Sequence, residues 1–231
     1  MNFDWNENGA AARVEVGYVR EILDKFTKQS HFGEHNMMIY PNLYTLREIY
    51  STSCKWSLEN NEAVFVLLHY LTGEDIRTYL KELNIDVNKY EKRDRSLLIL
   101  GSAEDYFGSA RDFLFYLNII NRRVLSRNKR GISIFMDMGS HYYRHRITDP
   151  TQREFRLLYE YEESLMTTLD LKVKILCLYH IKDLDILNPS QKDNLLRAHF
   201  RRYKVIADSD PNTFNSDNKE YDDKSLSVQR W

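Results

Sequence analysis

The sequence predicts an α/β fold: a mostly parallel central sheet with helices on both faces. Three observations carry that expectation. Short apolar runs alternate with stretches of helical periodicity through most of the 231 residues, the β-α-β-α rhythm of a parallel sheet. The runs AVFVLL, SLLIL, ISIFMD and VKILCLY are apolar at nearly every position, as strands buried on both faces must be. One of them ends in Asp137, and open α/β sheets place ligand chemistry at the carboxyl ends of their strands.

Residues 1–8 carry no pattern. From Asn8-Gly9 the chain places Val14, Tyr18, Ile22 and Phe26 on one stripe, predicting an amphipathic helix to about Ser30. Its apolar face needs a partner, either the domain or a second copy of the chain. HNMMIY, His35–Tyr40, reads as the first strand, stopped by Pro41-Asn42. Leu43–Glu59 follows as a helix with Leu46, Ile49, Tyr50 and Cys54 on related faces. Ala63–Leu68 is the strongest strand. Thr72 then caps a helix at Ile76–Leu83, with Asp75 as its capping-box acid.

Asn84–Asp94 is a polar connector before the strand Ser96–Leu100. Residues 105–112 connect to a helix at Phe113–Arg127, whose basic last turn suits its dipole. The strand within Gly131–Asp137 comes next, then the loop-like cluster HYYRHR, His141–Arg146. Pro150–Thr168 is helical, Val173–Tyr179 a fifth strand, Ser190 the cap of a helix to about His199, and Tyr203–Ala207 a last short strand. From Asp208 the chain is polar, acidic in its middle and aperiodic, which predicts a disordered tail. The organisation expected is therefore a helical extension at 1–30, one α/β domain at 31–207 and a tail at 208–231.

Composition narrows the function. A net charge of −1 gives no global attraction to nucleic acid or to an anionic membrane. No apolar run is long enough to span a bilayer, and the N-terminus has no signal-peptide pattern. The two cysteines, Cys54 and Cys177, are far apart, which fits a reducing, cytoplasmic setting.

The strand ends gather Tyr40, His69, Tyr70, Asp137, Cys177, Tyr179 and His180 on one expected edge. Polar residues also collect wherever strands leave a core, so chemistry does not follow from this alone. A phosphate-cradling GxxxxGK[ST] is missing after the first strand, where the chain reads PNLYTLREIYSTS without glycine or lysine. His141 and His145, four apart, could join Asp137 around a metal, but Arg144 and Arg146 oppose a cation there. Arg144, His145 and Arg146 could instead hold an anionic group, or form a solvated loop. Cys177 and His180 lie three apart on a strand and face opposite sides, which speaks against a nucleophile pair. No metal or cofactor is assigned.

The order of HNMMIYPN, NEAVFVLLHYLTGEDIRTYLKELNID, LLILGSAEDYFG, the strand ending Asp137-Met138, LLYEYEESLM and LCLYHIKDL with LLRAH resembles the MEDS family, the methanogen/methylotroph, DcmR-type sensory domains. The resemblance spans roughly Ser30 to Tyr203. It implies a RecA/KaiC-like fold that has lost its phosphate-binding loop, and sensing of a small hydrocarbon-derived or one-carbon ligand rather than catalysis. The family's recurrent polar positions fall on His35, Tyr40, Tyr106, Glu160, Tyr161, Glu162, Cys177, Tyr179 and His199. The ligand-binding set expected here is His35, Tyr40, Tyr106, Asp137, Cys177 and Tyr179, with the pocket beside Asp137.

The chain departs from the family pattern at Met136-Asp137-Met138, where Gly-Glu-Met is usual, and at His180, after Cys177-Leu178-Tyr179. It carries no attached DNA-binding or kinase module, so output is expected through a separate signalling protein, by way of the N-terminal helix or the tail. The alternatives are a divergent nucleotide- or metal-dependent enzyme using Asp137 and His141, and a structural adaptor with a vestigial site.

Overall fold

Six strands form one parallel sheet in the order β3-β2-β4-β5-β1-β6. The structure, a computed structural model, describes residues 23, 27, 30–101, 110–139, 152–165, 171–199 and 201–204, with backbone alone at 110, 152–157 and 201–204. The elements are β1 (His35–Tyr40), α1 (Leu43–Glu59), β2 (Ala63–Leu67), α2 (Gly73–Glu82), β3 (Leu97–Leu100), α3 (Ala110–Ser126), β4 (Ile132–Asp137), α4 (Gln152–Leu165), β5 (Val173–His180), α5 (Ile181–Asp185), α6 (Pro189–Arg197) and β6 (Arg201–Lys204). Every strand pairing is parallel.

The α/β expectation holds, and the strand and helix assignments agree to within a few residues at their ends. Of the predicted N-terminal helix, Leu23 and Thr27 are helical and buried, and its remainder lies outside the described residues. So do Tyr106, the HYYRHR cluster and the tail from Asp208.

Local chemistry explains the element ends. The β1–α1 connection is only Pro41-Asn42, and Asn42 caps α1 by accepting from the Thr45 amide at 2.8 Å. Thr72 and Asp75 close the predicted capping box on α2. The cap of α6 is Asn188, not Ser190: proline at position 189 takes the first helical place, and Asn188 exchanges bonds with Gln191. Asn61, Asn84 and Asn128 follow α1, α2 and α3 with φ of 59°, 61° and 58°, a left-handed stop that asparagine tolerates well. The polar connector before β3 contains a π-helical turn at Lys89–Arg93, which sequence periodicity does not reveal.

Alternation along the strands sorts the core into two halves. Met38, Tyr40, Val64, Val66, Phe135, Leu176 and Leu178 face α1 and α2. Met37, Ile39, Phe65, Leu67, Ile134, Met136, Ile175, Cys177 and Tyr179 face α3, α4 and α6. Each fully buried aliphatic or aromatic side chain contributes roughly 1.5–3 kcal/mol, and both layers therefore hold the sheet. At the amino edge Lys174 pairs with Glu62 at 3.0 Å inside the protein, and its ammonium lies 4.4 Å from the Trp56 ring.

Candidate functional site

The expected site residues divide between two places, because the sheet separates them. Tyr40 and Asp137 meet at the carboxyl edge. His35, Cys177 and Tyr179 meet on the opposite face, under α4 and α6, together with Glu162 and His199. One-sided alternation is the reason: His35, Met37 and Ile39 point one way along β1, while Met38 and Tyr40 point the other.

At the carboxyl edge, Asp137 ends β4 with 3% of its surface exposed. The Gly139 amide donates to Oδ1 at 3.0 Å and the Tyr70 amide to Oδ2 at 3.3 Å. The Tyr40 hydroxyl lies 3.4 Å from both oxygens. Burial pushes the Asp137 carboxyl up to about 7, against the pull of the Gly139 and Tyr70 amides, and nearby Asp183 adds to the rise. The same burial and the Asp137 charge raise the Tyr40 phenol, so it remains a donor.

Around this carboxyl lie Tyr70, Asp183 and His180. Tyr70 donates its hydroxyl to both Asp183 oxygens at 2.8 and 2.9 Å. The His180 ring sits 5.3 Å from the Tyr40 ring and 5.8 Å from the Tyr70 ring. Burial and the Lys182 charge lower its pKa, which favours the neutral imidazole. Asp137 thus ties together β1, the loop after β2 and the turn after β4. Sequence reading placed Tyr70 and His180 on this edge but missed Asp183, whose only signal is an acid in the first turn after β5.

The second set lies within the core. Cys177 sits in mid-β5 opposite Met37, and His35 opens β1 two residues earlier on the same face. Glu162 comes from α4 and His199 from the end of α6. His35 Nε2 is 2.9 Å from Glu162 Oε2 and 3.2 Å from Cys177 Sγ. Cys177 Sγ is 3.3 Å and His199 Nε2 is 3.4 Å from the same oxygen. Tyr179 donates to the other oxygen, Oε1. All four of His35, Glu162, Cys177 and His199 are buried, with ligand-type atoms within 4.8 Å of one another.

Burial alone would raise the Glu162 carboxyl; the two imidazoles outweigh it and hold it well below the usual carboxylate range. Burial and the neighbouring His199 lower His35, while burial and the Glu162 charge raise the Cys177 thiol. Glu162 is the fixed negative charge of the cluster, with a neutral thiol beside it. An uncharged, buried thiol is a poor nucleophile, which agrees with setting aside a Cys177–His180 pair.

The family model for the MEthanogen/methylotroph, DcmR Sensory domain, MEDS, matches residues 34–200. The chain belongs to the MEDS family. The matched span includes both sets of site residues and the whole sheet except β6. No curated protein matches the chain.

Two solved structures are similar to this MEDS chain at low identity. The flagellar accessory protein FlaH from Methanocaldococcus jannaschii is 15% identical, with a TM-score of 0.48, covering 80% of this chain and 76% of that one. A KaiC-like protein from the hyperthermophilic archaeon Pyrococcus horikoshii is 13% identical, with a TM-score of 0.47, covering 75% and 71%.

Of the polar positions expected from the resemblance, Glu162 and His199 join His35, Cys177 and Tyr179 in the buried cluster. Tyr161 stacks on Phe113 with ring centroids 6.1 Å apart, and Glu160 is exposed. A hollow of about 670 Å³ opens at the amino edge of the sheet, lined by Lys92, Arg93, Arg95, Arg127 and Lys129 among others. It lies at the end of the sheet away from Asp137. Among the described residues no helix is long and apolar enough to cross a membrane.

Proposed function

We propose that this MEDS domain is a non-catalytic sensor that meets a small one-carbon or hydrocarbon-derived molecule at the carboxyl edge and signals by contact with a separate protein. The observation that supports this reading most is the occupation of Asp137. Its oxygens accept from the Gly139 and Tyr70 amides and face the Tyr40 hydroxyl, so the carboxylate links three strand ends. An acid that served a nucleotide-bound magnesium ion would present open oxygens to it. The β1–α1 connection points the same way: two residues with an asparagine cap leave no glycine loop to wrap a phosphate. A ligand touching Tyr70 or His180 would shift the hydrogen bonds on Asp137, and through them the ends of β1, β2 and β4.

The test is a thermal-shift and calorimetric comparison of methanol, methylamine, formate and short-chain alcohols against ATP with magnesium. The expected result is a saturable stabilisation by one of the small organic probes. Tyr70→Phe and His180→Ala variants that remain folded should weaken it at least tenfold. Saturable binding of ATP–magnesium, abolished by Asp137→Asn, with no response to the organic probes, would replace the sensor reading with a nucleotide enzyme.

A further inference from the structure

The buried His35–Glu162–Cys177–His199 cluster belongs to neither the Asp137 network nor the hydrophobic packing around it. These are two imidazoles, a carboxylate and a thiol, brought from β1, α4, β5 and the end of α6 into one place inside the core. Burying four such groups together is costly unless something satisfies their mutual demands. Glu162 Oε2 is the common neighbour of His35 Nε2, His199 Nε2 and Cys177 Sγ.

The far side of the His199 imidazole is already engaged. His199 Nδ1 lies 2.8 Å from the Leu195 carbonyl, whereas His35 Nδ1 is buried without a hydrogen-bond partner among the described residues. In a neutral imidazole, a ring nitrogen that donates to a carbonyl leaves the other nitrogen with a lone pair. In that tautomer the His199 Nε2 lone pair faces the Glu162 carboxylate 3.4 Å away, a repulsive arrangement that a cation between them turns into an attractive one. Tyr179, donating to Glu162 Oε1, fixes the remaining oxygen. Outer partners of this kind are what orient the ligands of metal sites.

We propose that His35, Glu162, Cys177 and His199 form a closed, four-ligand site for a zinc-class divalent metal ion, held in the core of this domain. The size fits. Bonds of about 2.0–2.3 Å in a tetrahedron put neighbouring ligand atoms about 3.3–3.6 Å apart. Four of the contacts here are 2.9, 3.2, 3.3 and 3.4 Å, and all atoms lie within 4.8 Å. A shift of a few tenths of an ångström in the close pairs, with some approach by the wider ones, completes the shell.

The charge fits too. A divalent ion with one thiolate, one carboxylate and two neutral imidazoles is neutral overall, which suits a dry interior. Loading releases one proton from the Cys177 thiol to solvent and moves no electron. Mixed nitrogen, sulfur and oxygen donors favour zinc, cobalt or ferrous iron over magnesium or calcium. With four protein ligands the site is structural in type, clamping the α4–α6 layer onto β1 and β5. It stands apart from the carboxyl-edge reading, and neither depends on the other.

The test uses the full chain without an affinity tag, purified under reducing conditions and dialysed against zinc or cobalt. Elemental analysis should find about one metal ion per chain. The cobalt form should show a thiolate-to-metal charge-transfer band and the intense visible bands of tetrahedral coordination. Cys177→Ser should lose the charge-transfer band, whereas Cys54→Ser, altered in the other core layer, should keep it. Should Cys177→Ser fail to fold, zinc-edge X-ray absorption on the unaltered chain decides the matter: one sulfur and three nitrogen or oxygen ligands support the site. A folded wild-type chain that takes up less than a tenth of an equivalent of either metal would overturn it. So would zinc bound without sulfur, or a charge-transfer band that survives in Cys177→Ser.

Discussion

Asp137→Asn should change the pH dependence of stability more than its value at any one pH. In the folded chain the Asp137 carboxyl is raised from an ordinary value of 3.8 to about 7. Between those values the folded state holds a proton that the unfolded chain releases. The Asp137 contribution to stability is therefore greatest below about 4 and falls as pH rises, until the folded carboxyl has also ionised near 7. Three pH units at about 1.4 kcal/mol each make the whole loss roughly 4 kcal/mol, of which about 3 kcal/mol falls between pH 5 and pH 8.

Asparagine keeps the shape but cannot ionise, and it can serve only one of the two amides as acceptor. That exchange costs about 1–3 kcal/mol where the acid is protonated. The variant should therefore be the less stable protein at pH 5 and equal or better at pH 8. Urea unfolding of both proteins at half-unit pH steps measures the difference. Subtracting the two curves removes the groups that titrate in both, among them His180 and the carboxyls away from the site. Asp183, Tyr40, Tyr50 and Tyr70 face the site, and their coupling to Asp137 is part of the signal. A difference that stays constant from pH 5 to pH 8 would refute the reasoning, because it would mean that Asp137 is ionised throughout.

Lys174→Met should destabilise by about 3–5 kcal/mol by stranding Glu62 in the core, and adding Glu62→Gln should recover much of that; no recovery in chemical denaturation would rule out the stranded charge as the cause. Gly139→Ala should cost about 1–3 kcal/mol, since a Cβ there would come within 2.6 Å of the Tyr70 ring. Its unfolding midpoint should drop, and the Asp137-dependent pH slope should weaken with it. Thr72→Ala should cost about 0.5–2 kcal/mol through the lost capping box on α2, with an unchanged denaturant slope.

The fold was largely legible in the chain because its signals are local. Six-residue apolar runs name strands buried on both faces, and the Thr72–Asp75 spacing names a helix start. The failures were local too. Ser190 is a good cap by composition, yet proline at 189 fixes the first helical turn one residue earlier and gives the cap to Asn188. The π-helical turn at Lys89–Arg93 has no fully buried residue and so leaves no periodic trace.

The candidate site was legible as a set of residues but not as a geometry. Sequence placed His35, Tyr40, Tyr106, Asp137, Cys177 and Tyr179 around one pocket, and Tyr106 lies outside the described residues. Strand alternation already argues against that grouping, since His35 and Tyr40 are five apart in one strand and face opposite layers. The rest required the fold. Which strands are neighbours follows from the order β3-β2-β4-β5-β1-β6, and only the pairing of Met37 with Cys177 brings His35 beside the thiol. Glu162 arrives on α4 and His199 just past the end of α6, more than thirty residues apart, with no spacing motif between them. The sequence by itself determined the elements, their parallel rhythm and which residue types would meet chemistry. The tertiary structure decided which of them meet each other, because register and layer are set by packing across the whole sheet rather than by any stretch of chain.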